Sequence, residues 1–183
     1  MMKKTLALLM VMAMVFCGCA ALAEAAQDET VVYNFEDVKG YLSSPDHQGN
    51  FVEYEDLGFQ FWVPSPMEQG GMTQEMVDGS CIDFFLAPEM PQYNIVVRHT
   101  EYDGLVSDFD DLVAVAPHVY EDFRLATING RDALVAHQNS GDAMVVVIPD
   151  VQGRFLEINY NGCSDEDFIP DAGISIASIQ FED

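Results

Sequence analysis

Asn129-Gly130 divides two apolar stretches, and no other feature limits what this chain can fold into so sharply. A two-residue hairpin turn needs positive φ at both positions. Asparagine and glycine accept that most readily, so residues 120–128 and 131–137 read as neighbouring antiparallel strands. Alternation recurs on either side of them. Residues 51–54 and 59–63 make another hairpin about Asp56-Leu57-Gly58, with Phe59, Phe61 and Val63 on one face, Gln60 and Trp62 on the other, and Pro64 and Pro66 ending it. Residues 81–86 and 93–99 form a wide hairpin around Pro88 and Pro91, and Ile95-Val96-Val97 reads as buried on both faces. Residues 144–148 are apolar without a break, which demands cover on both sides, whereas 154–160 alternate beyond a turn at 150–153.

Helical spacing is rarer. Residues 72–77 suit a short helix that Gly70-Gly71 keeps from growing. Residues 107–117 suit a longer one, with Asp108, Asp110 and Asp111 at the positive end of its dipole and Phe109, Leu112, Val113 and Ala116 as an inward stripe. The tail, residues 164–178, reads as a helix capped by Ser164. Phe168, Ile169, Ala172, Ile176 and Ile179 face inward, and Pro170 and Gly173 weaken or kink it.

Residues 1–23 carry the marks of a cleaved export signal. Lys3 and Lys4 precede an apolar run over 6–16 that is too short to span a bilayer, and Ala21-Leu22-Ala23 offers small residues to a signal peptidase. Cleavage after Ala23 competes with lipidation at Cys19, behind Gly18. Residues 24–48 then form a partly ordered lead-in, and 49–183 the folded domain. Loss of Lys3 and Lys4 takes the formal charge from −24 to −26, leaving Lys39, Arg98, Arg124, Arg131 and Arg154 against 31 acids. Such a surface repels phosphate backbones, so nucleic acid is excluded as a partner; it suits a basic partner, a cation sink, or solubility alone. About 160 residues make one domain with an adequate core. Cys81 and Cys163 remain, and an oxidising compartment favours joining them, closing a loop worth about 4 kcal/mol; two buried free thiols are the alternative.

The order of these elements resembles the Mog1/PsbP-like fold. The residues that carry the likeness are Phe59 to Ser65 (aromatic-x-Val-Pro-Ser), Asn129-Gly130-Arg131, and the Ile-Ser-Ile-Ala-Ser-Ile run ending at Ile179. It covers about residues 50–180 and is similar to small exported bacterial proteins of that architecture. Met67 replaces the usual aromatic after the Pro-Ser element, and Pro170 interrupts the last helix. The resemblance implies an α+β domain, a mostly antiparallel sheet flanked by helices, used for docking to other proteins.

Chemistry leaves little trace. The sequence has no G-x-S-x-G elbow near Ser80 or elsewhere, and no H-E-x-x-H or C-x-x-C in the mature chain, so no catalytic, cofactor or metal residues are assigned. A Cys–His pair using His99 or His137 would need the fold to assemble it. The acids at 103–111 and 165–171 lack calcium-loop spacing and are best explained as helix caps, weak calcium binding being the alternative. Met67, Met72, Met76 and Met90 could hold cuprous ion, with Met72 and Met76 on one helix face, though filling an irregular core is methionine's commoner use. The reading is therefore a non-enzymatic envelope or secreted module that docks another protein, through the open sheet face or the groove beside the helix at 107–117. Trp62 and Tyr160 are its candidate exposed anchors. An acidic calcium-binding domain and an undetected hydrolase are the alternatives.

Overall fold

The computed structural model describes residues 30–45, 47–102, 106–120, 122–138, 142–150, 154–165 and 168–182. The leader, with Cys19, lies outside them. Strand β1 (Val31–Tyr33) leads into helix α1 (Phe35–Leu42), and β2 (Gly49–Tyr54) and β3 (Phe59–Pro64) flank a 3₁₀ turn at Glu55–Leu57. Next come β4 (Glu68–Gln69), α2 (Gln74–Asp78), β5 (Cys81–Ala87), β6 (Met90–Thr100) and α3 (Phe109–Val119). Strands β7 (Asp122–Ile128), β8 (Arg131–Gln138), β9 (Ala143–Pro149) and β10 (Phe155–Asn161) precede α4 (Ile169–Ala177) and β11 (Gln180–Phe181).

The result is one α+β domain. An eight-stranded sheet runs β1-β7-β8-β9-β10-β6-β5-β4, and a second sheet runs β11-β3-β2. Its register is set by the turn that the sequence marks: Asn129 and Gly130 take φ of 49° and 86°, and Ile128 pairs with Arg131 across them. Among the described residues only β1 on β7 is parallel. The small sheet lays Phe59, Phe61 and Val63 against Ile95, Val97 and Ile158 of the large one, forming the main core. On the opposite face α3 presses Leu112 and Ala116 onto Leu134, Val145 and Phe155. The unbroken run in β9 is buried from Ala143 to Ile148, covered from both sides as its composition demands. No helix among the described residues is long and apolar enough to cross a membrane.

Several expectations need correction. Trp62 and Tyr160 are not exposed anchors; they are 2% and 0% exposed. Trp62 does point away from Phe61, but that second face is sealed by Val38 of α1 together with Ile174 and Ala177 of α4. Tyr160 lies in the main core with its hydroxyl 3.1 Å from Ser175 Oγ. Within the lead-in segment Val31–Tyr33 form β1 and Phe35–Leu42 form α1, and α1 completes a third apolar cluster. Pro170 does not kink α4: it sits in the first turn, where its missing N–H has no helical partner to lose. Helix α4 therefore starts at Ile169, well after Ser164. The hairpin of β5 and β6 is tight, Ala87 pairing with Met90 across Pro88-Glu89. Val96 is half-buried, so Ile95–Val97 is covered on one face only.

The two cysteines are free and buried. Cys81 pairs with Arg98 of β6, whereas Asn161, two residues before Cys163, pairs with Asn94. Four residues of β6 separate those points, about 13 Å at 3.3 Å per residue, and a disulfide needs Cα atoms within about 7 Å. Each thiol donates to a nearby carbonyl instead, Cys81 to Asp83 at 3.1 Å and Cys163 to Tyr160 at 3.3 Å.

Candidate functional site

The eight-stranded sheet is covered unevenly. On its outer face α3 packs over β7 and β8, and α2 lies near β5. Strands β6 and β10, adjacent in the sheet, lie between the strands that these helices touch. Because Leu156, Ile158 and Tyr160 belong to the main core, the alternate residues Glu157, Asn159 and Asn161 point outward, opposite Arg98, Val96 and Asn94. A shallow strip results, bounded on one side by α3 and partly closed at its centre, where Asn159 is buried and the Glu157 side chain is 14% exposed.

Glu157 organises it. Its Oε1 accepts from Arg98 Nη1 at 2.8 Å and from Asn159 Nδ2 at 2.7 Å, and its Oε2 accepts from the Tyr102 hydroxyl at 3.0 Å. Burial, then the charge of Glu157, pushes the phenols of Tyr102 and Tyr120 above their ordinary range, so both stay protonated; the two are hydrogen-bonded to each other. Further along, Asn161 Nδ2 donates to Asn94 Oδ1 at 2.8 Å. The strip is rigid, and both of its principal charges are matched. A carboxylate whose oxygens already take three donors is poorly placed as a base or nucleophile, but such an arrangement suits recognition.

Sequence reasoning missed this cluster, because Glu157 is one acid among 31 and two of its partners, Arg98 and Tyr102, come from β6 and the residues just after it. The residues it did single out are engaged elsewhere. His99 holds Asp150 at 2.6 Å through Nε2, and Asp150 Oδ1 takes the backbone N–H of Arg154 at 2.9 Å, closing the β9–β10 connection. His137, on β8 opposite Asp122, is half-buried, which lowers its pKa. No Cys–His couple is assembled from the imidazole of His99 and the thiol of Cys81, each having the other partner named above. Burial raises both thiols, Cys163 to about 12, so neither is an activated nucleophile.

The acids near α3 act as caps: Asp108 Oδ1 accepts from Asp111 N at 2.9 Å, and Asp111 Oδ2 accepts from Ser107 N and Oγ at 3.0 and 2.8 Å. Among the described residues no three His, Cys, Asp or Glu side chains gather as a metal would need. Met72 and Met76 do not share a helix face, because α2 begins at Gln74 behind the Thr73 cap.

Comparison with solved structures finds the same layout in other proteins. The cyanobacterial PsbP protein CyanoP of Synechocystis sp. PCC 6803 superposes with a TM-score of 0.53 at 11% identity, over 73% of this chain and 92% of that one. The fold is PsbP-like. A Bacteroides thetaiotaomicron VPI-5482 protein matches with a TM-score of 0.51 at 14% identity, over 74% of this chain but 49% of that one, so the match spans about half of that longer protein. No family model and no curated protein matches the sequence.

Proposed function

We propose that this chain is an exported, non-enzymatic interaction module that presents the β6–β10 strip beside α3 to a partner protein with a basic surface. The observation that carries the reading is the strip itself: a sheet face without a helix over its middle, its polar groups fixed by one another. Charge supports a basic partner. Lys39 is paired with Glu36, Arg98 with Glu157 and Arg154 with Glu101, and Arg131 lies 4.2 Å over the Phe181 ring. The cations of the domain are thus mostly spent on its own groups, while the chain carries 31 acids, and complementary potentials speed and select encounter. Export follows from the leader-like residues 1–23, the mature chain beginning at Glu24 or at a lipid-modified Cys19.

A photocrosslinking residue placed at Val96 tests the docking face in the native host, with Lys39 on α1 as the control position. Discrete adducts from Val96 and none from Lys39 are expected. Equal labelling at both, or none at Val96, overturns the assignment of this face. Mass measurement of protein recovered outside the cytoplasm tests export, and an intact Met1 there sinks it.

A further inference from the structure

A pocket of about 110 Å³ opens where β3 ends, beside the β5–β6 hairpin and the start of α4. Its walls include Pro64, Pro66, Met67, Met90, Tyr93 and Phe168, with Asp171 among them. The aromatic wall is fixed in place. Tyr93 and Phe168 stack with centroids 5.2 Å apart, the Tyr93 hydroxyl donates to Asp165, and Gly162, at φ 90°, leaves room for the ring where a Cβ would strike it. Asp171 is held by His47, whose Nδ1 lies 3.2 Å from Oδ1.

We propose that this pocket receives the side chain of a lysine from a basic partner, its methylene stem between the prolines, methionines and aromatics and its ammonium on Asp171. Size favours a thin chain. The space is smaller than the roughly 150 Å³ of a cavity that takes an aromatic ring. Charge favours a cation, since the one ionised group on the wall accepts hydrogen bonds only and the protein carries −24 overall. Aliphatic carbon against ring faces and thioethers, with the charge drawn to a rim carboxylate, is how long cationic side chains are ordinarily buried. The inference rests on the reading of a basic partner but uses a different surface, so either can fail alone.

Titration with n-butylammonium, followed by amide chemical shifts, tests it. Saturable shifts at Ser65, Met67, Met90 and Tyr93 are expected, with a Kd on the order of millimolar for so small a probe. Asp171→Asn should weaken binding about tenfold. Met90→Phe, which crowds the rim and leaves the carboxylate alone, should abolish it, and guards against a folding defect in the first variant. The peptide Gly-Lys-Gly should shift the same amides and Gly-Gln-Gly should not. Butanol binding as tightly as butylammonium would reveal a mere apolar hole, and cuprous ion displacing the amine through Met67 and Met90 would reveal a metal site. Either result, or no shift with the amine, overturns the proposal; loss of the Val96 adducts alone would overturn only the docking strip.

Discussion

Replacing Asn129 by aspartate changes one atom and should destabilise the whole domain. The amide Nδ2 donates to Ala177 O at 3.1 Å and Ile179 O at 2.6 Å, while Oδ1 accepts from Phe35 N at 2.6 Å and the backbone N–H reaches Tyr33 O at 2.9 Å. The turn residue thereby clamps the start of α1, the end of α4 and the approach to β11. Aspartate keeps the acceptor and tolerates the positive φ, but it points an anionic oxygen at two carbonyl oxygens that then lack a donor. Two lost hydrogen bonds at about 1 kcal/mol each, with two part-buried carbonyls left unsatisfied, sum to about 3–6 kcal/mol. At roughly 2–4 °C per kcal/mol for a domain of this size, Tm should fall by about 10–15 °C. Asn129→Gly is the comparison: it loses both donated bonds and the acceptor for Phe35 N as well, but accepts the same φ and adds no opposing charge; three bonds at about 1 kcal/mol each give about 3 kcal/mol. Urea unfolding of the three proteins at one pH decides. An aspartate variant within 1 kcal/mol of the parent, or more stable than the glycine variant, would refute the clamp.

Glu157→Ala removes the acceptor of Arg98, Asn159 and Tyr102 and should cost about 2 kcal/mol in denaturant unfolding, tempered because the Arg98 side chain is 38% exposed. Burial depresses His137 below its ordinary 6.5. In the window between its folded and unfolded values the unfolded chain binds more protons, so this contribution is present above about 6.5 and is lost as pH falls through the folded value. Tm should therefore drop between pH 7 and 5, and His137→Gln should flatten that part of the profile; an unchanged slope would remove the residue as its source. For the chain from residue 24 onward, both thiols should react with a disulfide reagent only once the protein unfolds, and reductant should leave Tm where it was. A mass two hydrogens short, or a Tm lowered by reductant, would show a bridge.

How far the fold could be read from the residues depended on how local the cause was. The turn at Asn129-Gly130 and the doubly buried β9 are properties of a few consecutive residues, and they stand as read. What covers a face is not local. Alternation separates Trp62 from Phe61 correctly, yet the cover over Trp62 comes from Val38 and Ile174, one far upstream and one far downstream. Pro170 had an ambiguous phase: the same proline breaks a helix that began at Ser164 and starts one that begins at Ile169. The docking strip was legible only as an open sheet face beside the helix at 107–117. Its centre, Glu157, gains meaning from Arg98 and Tyr102, which the pairing of β6 with β10 brings to it. Likewise Met67 and Met90 become one wall only when the end of β3 meets the β5–β6 hairpin.

The parallel pairing of Val31 with Ala126 also governs the order of assembly. Synthesis delivers β1 first and its neighbour β7 much later; at about 5–20 residues per second, roughly 5–20 s pass before the pair can meet. Helix α4, which with α1 covers Trp62, is made later still, so until then α1 has no finished surface to close on. A nascent chain held open in this way is one that a translocation channel can still thread.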